Sequence, residues 1–394
     1  MLDESALGTT GISRRQLLAA GGLGLTAAAL TTACSKAPGS SSSTDVGDGL
    51  DTTQLADLAP FEFSDSVGAK PNVPHRFSFV QIDNVEGHTQ QQAVTQQACQ
   101  DRGIDFEVSN SQSDPAKVVQ QVNTFLQKGT GAVQLLPLGT NVSTIAHQVF
   151  SRGAALFNQV QGPSTCQQTV DNYALGQAQG QAAVDWIRKN LGGRATVAYL
   201  NPNALAPVLA ARTNGALKAF SQESGIKVIN IGMSPSDWTP TGGYKQTSTL
   251  LQAHPDLTAI VSGDAPIAGA LKAVQAAHNT SVKYIGGCDG EDLVLNYIKQ
   301  GDTLIKGTIG LGIAATGYAA GQFTADWFEG KTIPQACIFT PVIINSPDAV
   351  SEYADQVKNP AKYWKNPKYQ TFRGAISYET RKKWIKNALV GASS

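Results

Sequence analysis

The chain has 394 residues, more than one hydrophobic core usually serves, so two lobes are expected. Its 30 basic and 30 acidic side chains cancel, and with only 15% of residues charged there is no concentrated basic face for nucleic acid. The five cysteines (Cys34, Cys99, Cys166, Cys288 and Cys337) form no CxxC pair and have no histidine at ligand spacing, which leaves a metal site without support; disulfide pairing among the last four stays open.

The first segment reads as an address. Ser13, Arg14, Arg15, Gln16, Leu17 and Leu18 resemble the twin-arginine export motif, and the apolar run from Leu17 to Ala33 fits a signal-peptide h-region while falling short of the roughly 20 residues of a membrane span. Leu30, Thr31, Thr32, Ala33 and Cys34 are similar to a bacterial lipobox, with the leucine one position early, so Cys34 is the expected lipidation site. Residues 1–34 form the signal, and residues 35–75, opening with SKAPGSSSSTDVGDG, form a flexible tether. Lipid and leash together would hold the folded part at the outer face of the cytoplasmic membrane, in the periplasmic space.

From Arg76 onward the elements alternate. RFSFVQID is a strand, NVEGH a polar turn, and Thr89 to Arg102 a helix closed by Gly103. DFEVSNS is the second strand. DPAKVVQQVNTFLQKG is a helix with Asp114 as N-cap, Pro115 at its first position and Gly129 beyond its end, and GAVQLLPLG is the third strand. This is a parallel βαβαβ unit, whose ligands meet the loops at the carboxyl ends of the strands: NVEGH, SQSD and PLGT. A fourth strand AALFNQV follows, then the helix ALGQAQGQAAVDWIRKNLGG. RATVAYL opens a second unit with the helix VLAARTNGALKAFSQESG, the strand KVINIGM, the loop SPSDWTPTGG, the helix YKQTSTLLQAH, the strand TAIVSGD and a helix starting at Pro266. KYIGGCDG is a strand and loop, EDLVLNYIKQG a short helix, LIKGTIGLG a strand and IAATGYAAGQFTADWFEGK the last long helix. ACIFTPVIIN supplies a final strand pair, and the aromatic, Lys-rich tail reads as helices added to one lobe.

From Arg76 to about Ile344 the order and spacing of SQSDPAK, VDNYALG, AARTNG, LLQAHPDLTAIVSGD, GALKAVQAA, IGGCDG and KGTIG resemble the pentose- and hexose-binding group of periplasmic sugar-binding proteins of ABC importers, the ribose-binding type I family. The resemblance implies an α/β fold with two Rossmann-like lobes of parallel sheet, joined by three crossovers that act as a hinge, and a ligand cleft between them. It divides the chain into an N-terminal lobe (76–171 and 312–342), a C-terminal lobe (172–311) and a C-terminal extension (343–394).

A sugar needs planar two-way hydrogen-bonding partners and a ring against its C–H face. By resemblance, Arg212 in AARTNG grips ring hydroxyls, Asp289 in CDG accepts from adjacent hydroxyls and pairs with that arginine, and Trp238 in SDWTP stacks or packs between the lobes. Asn84, Glu86 and His88 occupy the first turn, where the family carries an asparagine and stacking phenylalanines; His88 either replaces a ring or is a solvated loop histidine. Asn158 and Gln159 end strand four where the family has an aspartate and an arginine, Asp171 is either a hinge residue or a ligand partner, and Asp264 either meets ligand or caps its helix. Leu136, Gly263 and Leu311 stand at or near positions where ribose binders carry amides. Three lost partners would cost about 1 to 3 kcal/mol each, so another monosaccharide, a polyol or a less hydroxylated compound fits better than ribose. Truncating Arg212, as a cleft residue, is expected to leave unliganded stability within about 0.5 kcal/mol.

The sequence thus points to a monomeric lipoprotein, without cofactor, that passes a small carbohydrate to an ABC permease and its ATPase; a sensor presenting ligand to a membrane receptor is the alternative. Catalysis finds little support, because Asp289 with Asp292 lacks a surrounding constellation and none of HExxH, GxSxG or a phosphate loop is present.

Overall fold

The computed structural model describes residues 58–59, 70–136, 142–159, 162–170, 172–205, 209–301, 304–331, 333–334, 336–339, 341–366 and 370–372. The signal segment with Cys34, nearly all of the tether before residue 70, the PLGT turn at 137–140 and Asp171 lie outside the described residues.

In chain order the first elements are β1 (Leu58–Ala59), β2 (Arg76–Gln81), α1 (Glu86–Gln100), β3 (Asp105–Asn110), α2 (Pro115–Gln127), β4 (Ala132–Leu135), α3 (Val142–Ser151), β5 (Ala155–Asn158), β6 (Gly162–Pro163) and β7 (Cys166–Val170). Next come α4 (Asn172–Leu191), β8 (Ala195–Asn201), α5 (Leu209–Phe220), β9 (Ile226–Gly232), α6 (Pro240–Ala253), β10 (Leu257–Val261), α7 (Asp264–Ala276), β11 (Lys283–Tyr284), α8 (Asp292–Lys299) and β12 (Thr308–Gly310). The last are α9 (Ile313–Phe328), β13 (Ala336–Phe339), β14 (Val342–Ile344), α10 (Pro347–Lys358), α11 (Pro360–Tyr363) and β15 (Gln370–Phe372).

Two sheets organise these elements. The N-terminal lobe has strand order β15-β13-β7-β5-β4-β2-β3, parallel except for β15 against β13. The C-terminal lobe has the parallel order β11-β10-β8-β9, and single bridges from Tyr284 to Ile305 and from Asp289 to Gly310 join the β12 segment to it. Helices cover both faces of such sheets, so the central strands are apolar without alternation: β4 is buried throughout, and so is β8 after its first residue. Phe77, Phe157 and Phe339 fill one core; Leu200, Ile260, Leu271 and Tyr353 fill the other.

Local chemistry explains the helix starts. Asp114 accepts from the Ala116 and Lys117 amides, with Pro115 at the first position of α2, as the sequence predicts. Two starts come earlier than the sequence suggests. Glu86, Gly87 and His88 belong to the first turn of α1 instead of a loop, and α6 begins at Pro240, where Thr239 accepts from the Gly242 amide.

The chain passes between lobes after β7, after β12 and after β13, since β14 pairs with β12. It then returns once more: α10 buries Val350 and Tyr353 in the C-terminal core, while Trp364 packs on Tyr318 and Phe323 of α9 and β15 joins β13. Residues 343–364 are therefore built into both cores where the sequence suggests an appended extension, because Tyr353 completes one core and Trp364 the other. Cys99, Cys166, Cys288 and Cys337 are all buried free thiols.

Candidate functional site

A cavity of about 440 Å³ lies between the lobes. Its wall is made from the carboxyl ends of strands and the first turns of the helices that follow, where open α/β sheets place their ligands. Ile82 and Asp83 follow β2, Ser113 follows β3, Leu136 follows β4 and Gln159 follows β5; Pro202 and Leu205 follow β8, and Leu311 follows β12. Three helices present residues three apart on one face: His88 and Gln91 from α1, Leu209 and Arg212 from α5, Ile313 and Thr316 from α9.

Five of the ten expected residues line this cavity: His88, Gln159, Arg212, Trp238 and Asp289. Arg212 is only 8% exposed. Its Nε and Nη2 donate to Asn172 Oδ1 at 3.2 and 2.9 Å, and its Nη1 donates to Cys288 Sγ at 3.4 Å. The guanidinium is thus fixed by neutral partners, where the resemblance suggests a direct pair with Asp289. That carboxyl stands in the same wall, accepts a thiol contact from Cys288 at 3.3 Å and has its pKa raised by burial against the opposing pull of Arg212. Its backbone has φ 120°, a region costly for any side chain, and is held there by three bonds. Asp289 N donates to Ile309 O, Tyr353 Oη donates to Asp289 O, and the neighbouring Gly290 amide is held by Asp264.

Asp264 itself faces away from the cavity. Fully buried, it accepts from the amides of Cys288, Gly290 and Glu291 and from the Thr308 hydroxyl, so its work is to pin the 288–291 turn. Burial, then Asp289, raises this carboxyl well above the usual range, against the donors from Glu291 and Thr308. Asn84 is exposed and accepts from Asn110 Nδ2 at 2.7 Å, and Asn158 is buried at the end of β5 behind Gln159. Glu86 sits at the rim, where its carboxylate accepts from the Asp292 amide at 3.1 and 3.2 Å. This bond crosses the cleft and caps α8, whose own N-cap Glu291 supplies no side-chain bond.

Several lining residues carry no sequence signal. Asp83 lies 2.6 Å from His88 Nδ1; burial pushes the carboxyl up, but His88 and the Val85 amide outweigh this and hold it below the usual range. Gln91, Gln168, Thr316 and Glu291 complete the polar wall, and burial, followed by Asp289, Glu86 and Asp83, pushes the Glu291 carboxyl up to about 7. Aromatic surface comes from both lobes, Phe339 at the end of β13 and Trp238 before α6. Trp238 is seated on Gly263, where a Cβ would come within 2.5 Å of the indole Cζ2. Leu136 and Leu311 also line the cavity and add aliphatic surface to its wall. Among the described residues no group of His, Cys, Asp and Glu is placed to hold a metal ion, and no helix is long and apolar enough to cross a membrane.

Comparisons with known proteins bear on the family and the fold. Residues 77–332 match the model of the periplasmic binding protein domain. The chain is 30% identical over 218 residues to the ribose import binding protein of Haemophilus influenzae, covering 52% of this chain and 70% of that protein. It is 30% identical over 190 residues to the ribose import binding protein of Salmonella typhimurium, covering 47% of this chain and 62% of that one. In structure it is similar to an ABC transporter periplasmic solute binding protein from Actinobacillus succinogenes with bound D-allose. That match has TM-score 0.64 at 20% identity, covers 71% of this chain and 100% of the other, and at this identity carries the fold alone. With two parallel-sheet lobes around a lined cleft and a family match over residues 77–332, the chain belongs to the periplasmic binding protein family.

Proposed function

We propose that the chain is the extracytoplasmic ligand-capturing component of an ABC importer, taking up a monosaccharide or polyol between its lobes and delivering it to a permease and its ATPase. The observation that carries this reading is the cavity walled from both lobes, with Arg212, Asp289 and Trp238 on one side and His88, Gln91 and Gln159 on the other. A molecule bridging both walls stabilises the closed form, which is what a permease has to distinguish from the empty one. The relatives named for ribose import favour transport of a carbohydrate over signalling and over turnover. Export by the twin-arginine route and lipidation of Cys34 would place a monomer at the outer face of the membrane, and mass spectrometry of the membrane-extracted N-terminus tests this; an unmodified Cys34 would reject the anchor.

The function itself is tested by thermal unfolding of the purified protein against a panel of pentoses, hexoses, amino sugars and polyols. One or a few compounds are expected to raise the melting temperature and to be recovered unchanged. A panel without any shift would overturn the carbohydrate reading.

A further inference from the structure

The charges around the cavity do not balance. Asp83, Asp289 and Glu291 all line it, and Glu86 closes the rim. Against them the wall offers one fixed cation, Arg212, and the imidazole of His88. His88 is spent on Asp83 at 2.6 Å, and Arg212 points its donors at Asn172 and Cys288, so its charge offsets one carboxylate of the Asp289 and Glu291 pair. Closing the hinge brings the acids of one lobe, Asp83 and Glu86, toward those of the other, Asp289 and Glu291, and removes the water that screens them. A second observation marks this as a place built for a ligand. Gln168 is fully buried and lines the cavity, and its Oε1 has no hydrogen-bond partner among the described residues; Nε2 of Gln159, in the same lining, has none either. The Glu291 carboxylate likewise accepts no hydrogen bond from a described residue. A buried amide left unpaired carries a penalty that a ligand's polar group removes, and an uncompensated carboxylate asks for a donor that brings positive charge.

We infer that the natural ligand is a hydroxylated amine, an amino sugar or amino polyol, whose protonated nitrogen sits between Asp83 and Glu291 while its hydroxyls meet Gln159, Gln168 and Arg212. The inference rests on the carbohydrate reading above and sharpens it. The aliphatic surfaces of Leu136, Leu311 and Pro202, drawn from both lobes, then meet C–H faces of the ligand, and the cation supplies the charge that the closed cleft lacks.

Isothermal titration calorimetry of the purified chain at pH 7 tests this with matched pairs: D-glucosamine, D-galactosamine, D-mannosamine and glucamine against D-glucose, D-galactose, D-mannose and sorbitol, with the N-acetyl sugars as charge-free controls. At least one amine is expected to bind about tenfold or more tighter than its neutral partner and its acetylated form. Glu291→Gln, which breaks no hydrogen bond, is expected to erase most of that preference while leaving the unliganded melting temperature unchanged or higher. If neutral compounds bind and their amines bind no better, the inference is overturned and the carbohydrate reading stands. If no compound of either set binds, both are overturned. An amine preference that survives in both Glu291→Gln and Asp83→Asn would show that these carboxylates do not make the site.

Discussion

At the scale of single residues, Arg212 shows how burial changes an expectation drawn from chemistry alone. A cleft arginine read from sequence contributes little to stability. In the structure it is 8% exposed and holds both the Asn172 carbonyl oxygen and the Cys288 thiol. Arg212→Met is therefore expected to abolish ligand binding and also to lower the unfolding free energy by about 1 to 3 kcal/mol, because Asn172 Oδ1 loses its donor. Urea denaturation beside calorimetry checks both; an unchanged midpoint with intact binding would place the ligand elsewhere. Arg212, Asp289 and Trp238 were legible because they sit in strand-end loops or in the first turn of a helix, where charge or aromatic surface is not needed for the core. Gln91, Thr316 and Phe339 were not, since a glutamine or threonine within a helix, or a phenylalanine ending a strand, looks the same in sequence whether it faces a cavity or a neighbour. Asp264 misled for the related reason that a buried carboxylate satisfied by backbone amides and one aimed at ligand share the same position in the chain.

At the scale of elements, the contact between α4 and α5 aims the arginine. The two helices cross so closely that a Cβ on Gly176 would lie 1.8 Å from the Arg212 carbonyl oxygen, and one on Gly215 would lie 2.2 Å from that of Tyr173. Gly176→Ala forces α5 outward and carries Arg212 with it. Overpacking of this kind costs about 1 to 3 kcal/mol, and ligand affinity is expected to fall with the urea midpoint. Loss of stability with unchanged affinity would show that this crossing does not position the site. The period of the helices and the apolar strands made these elements legible. Their starts were less so, because the Thr239 cap and Pro240 lie within a stretch rich in turn residues, and Glu86 opens α1 without a capping side chain before it.

At the scale of the whole molecule, the proposed function depends on two lobes that close on each other, and Glu86 marks where they meet. Its carboxylate satisfies the Asp292 amide, an otherwise orphaned donor at the start of α8 in the opposite lobe. Glu86→Ala is expected to weaken ligand binding about two- to fivefold, the usual worth of a carboxylate at a helix start, with little change in the unfolding midpoint. Small-angle scattering of the unliganded variant should show a more open form than wild type; identical curves and affinities would remove Glu86 from closure. By itself the sequence determined the alternation of strands and helices, the two-lobe family and the edge of the sheet where a ligand must lie, since hydrophobic period, caps and chain order are local properties. Only the tertiary structure decided that residues 343–364 complete both cores, that Arg212 is held by Asn172 and Cys288, and that carboxylates from the two lobes confront one another across the cavity. Those facts depend on which distant segments come within a few ångströms, and hydrogen bonding, burial and Coulomb energy are set by that distance.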